Sequence, residues 1–308
     1  MDRRTLLKNM GATAAALALR PLRVDAAKPS FKLRYILASC MYGTTDVEEV
    51  LGEVHKTGAA HIDIWPKRHA DQREQMDAMG LDRFEELLAK YKVGLGMLTR
   101  YDLGPFGQAE ELKVAKRFGA KIIITGSRGP KGLKGAELKS AVQEFSEKMK
   151  PHVAEAEEND VILGIENHGL SLVDSPDSMK WLVEQIPSKH IGIALAPYHL
   201  PQDPKLIAKL IKELGPRLVH FYGWEHGAGN QEKLPKEQEL LQMPGRGKLD
   251  FKPIIAALAK IGYQGWTEIF MHPVPRGIPI LETTAEVTEE INRARAYLDE
   301  CAEWIAWR

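Results

Sequence analysis

Cysteine is scarce in this chain, with two among 308 residues, Cys40 and Cys301. A small disulfide-stapled scaffold is thereby excluded, and at most one bridge could join the two ends. Charge of one sign is lacking too: 42 basic residues offset 42 acidic ones, and the formal net charge is +0. Without a net positive field there is no broad electrostatic drive toward nucleic acid or an anionic membrane, and a neutral small-molecule partner fits better. No apolar run reaches the ~20 residues that a membrane-spanning helix needs. No Pro-, Gly- or Ser-rich linker divides the chain, so one large domain is expected.

What is present is 44% hydrophobic and 27% charged residues, the balance of a folded protein with a sizeable core. The N-terminus stands apart. Arg3 and Arg4 precede Thr5-Leu6-Leu7-Lys8, an Ala-rich apolar run spans Gly11 to Leu19, and small residues lie near Ala26 and Ala27. This layout is that of a cleavable export signal of the twin-arginine type, with an ordinary Sec signal or a lipid-free membrane anchor as the alternative. The expectation is a signal over residues 1–27 and a mature domain over 28–308, exported to the periplasm of a bacterium and without a membrane span once the signal is removed.

Beyond the signal, short aliphatic runs alternate with amphipathic stretches, the pattern of βαβ units and a parallel sheet. Strands are predicted at Arg34–Ser39, Ala60–Ile64, Val93–Leu98, Lys121–Thr125, Val161–Glu166, Ile191–Leu195, Leu218–Tyr222 and Gly265–Phe270. Helices are predicted at Asp46–Thr57, Leu81–Tyr91, Gly107–Phe118, Gly135–Asn159, Ser175–Gln185, Pro204–Leu214, Phe251–Ile261 and Thr283–Trp304. Eight uninterrupted βα units close into a single-domain (β/α)8 TIM barrel rather than a doubly wound sheet.

Barrel sites are built where strands end, so the polar residues there are the candidates. The second strand ends in Asp63 and Trp65 with His69 beyond, and the third runs into Arg100 and Tyr101. The fifth ends in Glu166, Asn167 and His168, and the sixth gives way to Ala196-Pro197-Tyr198-His199. His220, Tyr222, Trp224, Glu225 and His226 belong to the seventh, and Glu268, Phe270 and His272 to the eighth. Six of the ten histidines thus gather at one end, and imidazole is both a common metal ligand and a proton carrier near neutral pH. Singly, each histidine also fits a structural hydrogen bond. Glu166 is the strongest candidate, because a carboxylate ending an apolar strand is costly to bury unless paired, protonated or bound to a cation. Trp65, Trp224 and Trp266 fit either core packing or an aromatic wall for a sugar ring. Arg100 and Arg128 carry the planar fork that holds phosphate or carboxylate, though solvent-exposed loop arginines are the commoner case.

The run Gly164-Ile165-Glu166-Asn167-His168-Gly169, the segment Ile191 to Leu200, and Pro244-Gly245-Arg246-Gly247 leading to Asp250-Phe251 resemble the xylose isomerase-like barrel superfamily, which includes sugar epimerases, inosose dehydratases and endonuclease IV. The resemblance covers nearly the whole chain after the signal and implies a sugar or polyol partner. It also implies a divalent metal, Mn or Mg, held by a Glu, an Asp, a His and a Glu at the ends of strands five to eight. Glu166 matches the first position, but Ala196, Tyr222 and Phe270 fall on the other three, so the ligand set is incomplete here. His220 and Glu268 lie two residues earlier on the same strand faces, about 6–7 Å deeper.

Three functions follow from these readings. In the first, an isomerase, epimerase or related lyase moves a proton beside a sugar carbonyl, with Glu166 and Glu268 as base and acid, His199 and His220 orienting oxygens, and a metal, if bound, polarising the carbonyl. Trp65, His69, Arg100, His168, Tyr222, Trp224 and His272 would contact the substrate. The second is a non-catalytic carbohydrate-binding barrel that has lost the metal site. The third, phosphodiester cleavage, needs a multi-zinc cluster and a basic track that the neutral charge disfavours.

Overall fold

The aliphatic runs form the strands because β-branched and leucine side chains pack on both faces of a parallel sheet covered by helices. In a computed structural model, residues 31–306 are described, so the export signal expected over 1–27 lies outside the described residues. Eight strands occur among them: β1 (Arg34–Ala38), β2 (His61–Ile64), β3 (Gly94–Thr99), β4 (Ile122–Gly126), β5 (Ile162–Glu166), β6 (Ile191–Leu195), β7 (Leu218–Gly223) and β8 (Trp266–Ile269). They pair in sequence order into a closed barrel, all parallel. β8 closes onto β1 with Arg34 opposite Trp266 and Ile36 opposite Glu268. This is the single (β/α)8 barrel that the alternation predicts.

The helices around it are α1 (Val47–Glu53), α2 (Gln72–Met79), α3 (Leu81–Tyr91), α4 (Ala109–Phe118), α5 (Gly135–Asn159), α6 (Pro176–Gln185), α7 (Pro204–Leu214), α8 (Lys236–Glu239), α9 (Lys252–Lys260) and α10 (Thr284–Ala306). Two of these, α2 and α8, are not anticipated from the pattern: the first buries only Gln72, Arg73 and Met76, and the second is four residues long. α7 shows how local chemistry sets an element. Asp203 caps it by accepting from the amides of Lys205 and Leu206, Pro204 opens the first turn, and Ile207, Ala208, Leu210, Ile211 and Leu214 form its buried stripe. Such a cap stabilises by about 1 kcal/mol, while each buried aliphatic side chain contributes about 1.5–3 kcal/mol.

Inside the barrel the strands on one side carry small residues. A Cβ at Gly164 would collide with Ile124, and one at Gly192 with Val219 and the Arg217 carbonyl, so bulky neighbours fill the lower core. Cys40 and Cys301 are both free and buried, so no bridge joins the two ends. Among the described residues no helix is long and apolar enough to cross a membrane.

Candidate active site

Alternation along the strands stacks the inward polar residues in two tiers. The lower tier is Asp63 on β2, Thr99 on β3, His220 on β7 and Glu268 on β8, all with 0% exposure. Thr99 Oγ1 donates to Asp63 Oδ2 at 2.6 Å, and His220 Nε2 lies 3.2 Å from Glu268 Oε2. The Asp63 and Glu268 carboxyls meet each other, and the Trp65 indole N–H lies beside both. Two acceptors in contact require a proton between them. Burial drives both carboxyls above their usual range. Burial also lowers His220 to about 3, so its imidazole is neutral.

The upper tier opens to solvent. Glu166 ends β5 at 3% exposure, and its Oε2 accepts a hydrogen bond from the Tyr101 hydroxyl. Its Oε1 lies 3.7 Å from His199 Nε2, outside hydrogen-bond reach, which leaves that nitrogen without a partner. Burial, and then the Glu268 carboxyl below, push Glu166 well above the ordinary carboxylate range. Burial lowers His199 to about 3, with His168 and His226 adding to the effect, so His199 is a neutral imidazole at physiological pH. The Tyr222 hydroxyl has no partner, and burial together with the surrounding carboxyls keeps it un-ionised.

These groups floor a cavity of about 1040 Å3 at the carboxyl ends of the strands, the upper end of the range for small-molecule sites. Its walls are aromatic: Trp65 stacks on Phe270 at 5.1 Å, Tyr198 on Trp224 at 4.0 Å and His69 on His272 at 4.4 Å between ring centroids. Gln242 braces this wall. Its Oε1 accepts from Trp224 Nε1 at 3.1 Å and from the His272 amide at 3.2 Å, while its Nε2 donates to the His272 carbonyl at 3.0 Å. On the opposite side Asn167 ties the ends of β5 and β6, accepting from the Ala196 amide at 2.7 Å and donating to the Ala196 carbonyl at 3.1 Å.

Of the residues singled out from sequence, Glu166, His199, Trp65, His69, His168, Tyr222, Trp224 and His272 line this cavity together. Glu268 and His220 lie beneath it, covered by Tyr222 on β7 and by Phe270 just past β8. Arg100 does not line it: its guanidinium is spent on Asp102 at 2.8 Å and Glu111 at 2.5 Å, which fastens the loop after β3 to α4. Trp266 lies at the other end of β8 under the Arg34 guanidinium, 4.3 Å from its ring centre. Gln242 is the addition from the structure, and Tyr101 and Asp63, named from sequence only as strand-end residues, acquire partners here. The signal for Tyr101 was present, since Thr99 and Tyr101 share a strand face whereas Arg100 is on the other.

The metal implied by the resemblance does not fit these donors. Among the described residues no group of three or more His, Cys, Asp or Glu side chains converges as ligands. At the sixth strand end Ala196 offers a methyl group, and at the eighth Phe270 offers a ring. Near Glu166 stands His199, its Nε2 at 3.7 Å, while His220 and Glu268 are engaged with each other one tier below.

Comparison with known proteins agrees with this architecture. A sequence profile described as "Xylose isomerase-like TIM barrel" matches residues 51–301. The D-psicose 3-epimerase of Enterocloster bolteae is 32% identical over 114 residues, 36% of this chain, which spans about a third (33%) of that relative's length. A D-psicose 3-epimerase structure from Clostridium cellulolyticum H10, with D-tagatose, superposes with a TM-score of 0.65 at 17% identity, covering 89% of this chain and 99% of that one. An L-ribulose 3-epimerase structure gives 0.66 at 15% identity over 89% and 96%. At those identities the two structures speak for the fold alone. The matched span includes all the strand ends from β2 to β8 that build the cavity, and the chain belongs to the xylose isomerase-like TIM barrel family.

Proposed function

We propose that the chain moves a proton at the carbon beside a sugar carbonyl, as an isomerase or epimerase, with Glu166 as the base. The observation that carries this reading is the trio of Glu166, Tyr101 and His199 at the floor of a cavity walled by aromatic rings. A carboxyl whose pKa is raised above the ordinary carboxylate range is a stronger base once ionised, which suits it to accept and return a proton. Tyr101 fixes Oε2, which leaves Oε1 on the side of His199. The partnerless Nε2 of neutral His199 is available to hydrogen-bond a substrate oxygen without carrying charge. Trp65, Trp224 and Phe270 present faces that suit the apolar side of a sugar ring. Glu268 acts from below, by raising Glu166 rather than by touching the substrate, and His220 holds Glu268. No step is routed through a metal, because the donors present do not fit one.

The test is deuterium incorporation from heavy water into candidate ketoses and 3-keto sugars by the mature protein. Glu166→Gln should lower exchange by about 100- to 10,000-fold, the usual contribution of a general base. Absence of exchange into every candidate would sink the reading. The family similarity supports a sugar as substrate, and the named relatives are described as D-psicose 3-epimerases. The vacated donor positions at Ala196, Tyr222 and Phe270 favour one alternative, a barrel that binds carbohydrate without turning it over. Saturable sugar binding with no exchange, unchanged in Glu166→Gln, would be its signature. The Arg3-Arg4 leader supports action in the periplasm, and retention of an Arg3→Lys/Arg4→Lys variant in the cytoplasm would check the twin-arginine route.

A further inference from the structure

The mouth of the cavity has a charge that the whole chain does not. Its lining includes Lys67 and Arg68 from the loop after β2, Arg128 and Lys131 from the loop after β4, and Arg276 from the loop after β8. The acidic residues of the same lining are Asp102 and Glu166. Asp102 is already gripped by Arg100 through bonds of 3.0 and 2.8 Å, and Glu166 is at the floor with Tyr101 and His199. No carboxylate among the described residues pairs with any of the five cations. Elsewhere the chain pairs such groups: Arg73 with Glu111 at 2.9 Å, and Arg246 with Glu290 at 2.5 Å.

Arg276 is the most informative of the five. It is partly buried, and burial lowers its pKa by more than the nearby Glu239 carboxylate raises it, so the charge is held at a net cost and without a paired carboxylate. Its Nη1 and Nη2 donate to the carbonyls of Pro273 at 2.6 Å and Asn230 at 3.3 Å. Nε and two further N–H groups remain uncommitted. Its field, joined by that of Arg68, helps keep His69 neutral, with a pKa lowered to about 4 chiefly by burial. Arg128 lies against Gly104, where a Cβ would sit 2.7 Å from its Nε and Nη2. Two planar forks on opposite rims, each able to hold an oxyanion through paired N–H groups, stand above one carboxyl base.

We infer that the mouth binds a negatively charged group of the substrate, so that the sugar presented to Glu166 is an acidic one bearing a carboxylate, phosphate or sulfate. This deepens the proton-transfer reading and departs from the neutral partner expected from net charge. A low-dielectric cleft lined by one sign of charge concentrates ligands of the other sign, whatever the total charge.

Calorimetric titration of the mature protein at ~0.15 M salt with glucose, glucuronate, glucose 6-phosphate and glucose 6-sulfate, and with fructose and fructose 6-phosphate, tests it. At least one acidic sugar should bind about tenfold or more tightly than its neutral counterpart, as expected for charge-assisted hydrogen bonds. Which one does so identifies the anion, and inorganic phosphate and sulfate report the free ion's share. The preference should shrink to near unity in Arg68→Gln/Arg276→Gln and persist in Glu166→Gln. Equal binding of neutral and acidic sugars, a preference that survives the double variant, or no binding of any acidic sugar overturns the proposal. If Arg276→Gln fails to fold, the exposed Arg68→Gln and Arg128→Gln carry the same test. A charge preference that stands while deuterium exchange is absent refutes proton transfer and leaves the anion site intact.

Discussion

The buried carboxyl pair under the cavity sets a sign and a slope for stability against pH. Asp63 and Glu268 touch at 0% exposure, and two carboxylates in contact within a protein cannot both be ionised. The folded chain therefore holds a proton there well above the pH of about 4 at which an unfolded carboxyl releases it. A pKa raised by folding contributes stability that is complete below the unfolded value and is lost as pH rises through the folded one. Between those limits each such proton costs about 1.4 kcal/mol per pH unit. In Asp63→Asn/Glu268→Gln the amides keep the shape, accept from Thr99 and bond each other without a proton to exchange. Urea unfolding of both proteins at pH ~5.5, ~6.5 and ~7.5 should show wild type losing about 1.4 kcal/mol per unit relative to the variant. The buried histidines, which are lowered by folding and act in the opposite direction below their unfolded value, cancel in this difference. Parallel profiles would refute the shared proton.

Activity should also respond to pH and to the groups that hold Glu166. Because burial and Glu268 raise Glu166, exchange should rise with pH through a midpoint above the usual carboxylate range, read from kcat/KM. Tyr101→Phe removes a donor that favours the ionised form, so the midpoint should move further up and the rate at pH ~7 should fall about tenfold. An unshifted midpoint would show that Tyr101 does not act on Glu166. Dialysis against a chelator should leave exchange unchanged, and added Mn should not raise it, since Ala196, Tyr222 and Phe270 offer no ligand set. A chelator-sensitive rate restored by Mn would reverse that conclusion.

The barrel was legible because its strands are short aliphatic runs punctuated at regular intervals, a pattern that depends only on local chemistry. Predicted and observed strands differ by a residue at most ends; β4 extends to Gly126 and β7 to Gly223. α2 was not legible because one buried methionine, Met76, on a polar segment gives no periodicity. Within the site, Glu166 stood out as a charge ending an apolar strand. Alternation also told that His220 and Glu268 share faces with Tyr222 and Phe270. Whether a ligand reaches them depends on the bulk of those two rings, which is a matter of packing. Gln242 gave no signal, since its partners are 18 and 30 residues away. The cationic rim was hidden for a similar reason: its members come from three loops, and summed charge conceals their meeting.

That one amide has a dynamic consequence. By holding the Trp224 indole and both backbone groups of His272, and by passing its own carbonyl to the Glu225 amide at 3.0 Å, Gln242 locks two loops into one unit of opening. The amides of Glu225 and His272 should then exchange with solvent as a pair, at a common protection factor, rather than as independent loop residues. Gln242→Ala would split that unit, and the aromatic wall and the Arg276 rim would fluctuate separately, each on its own timescale.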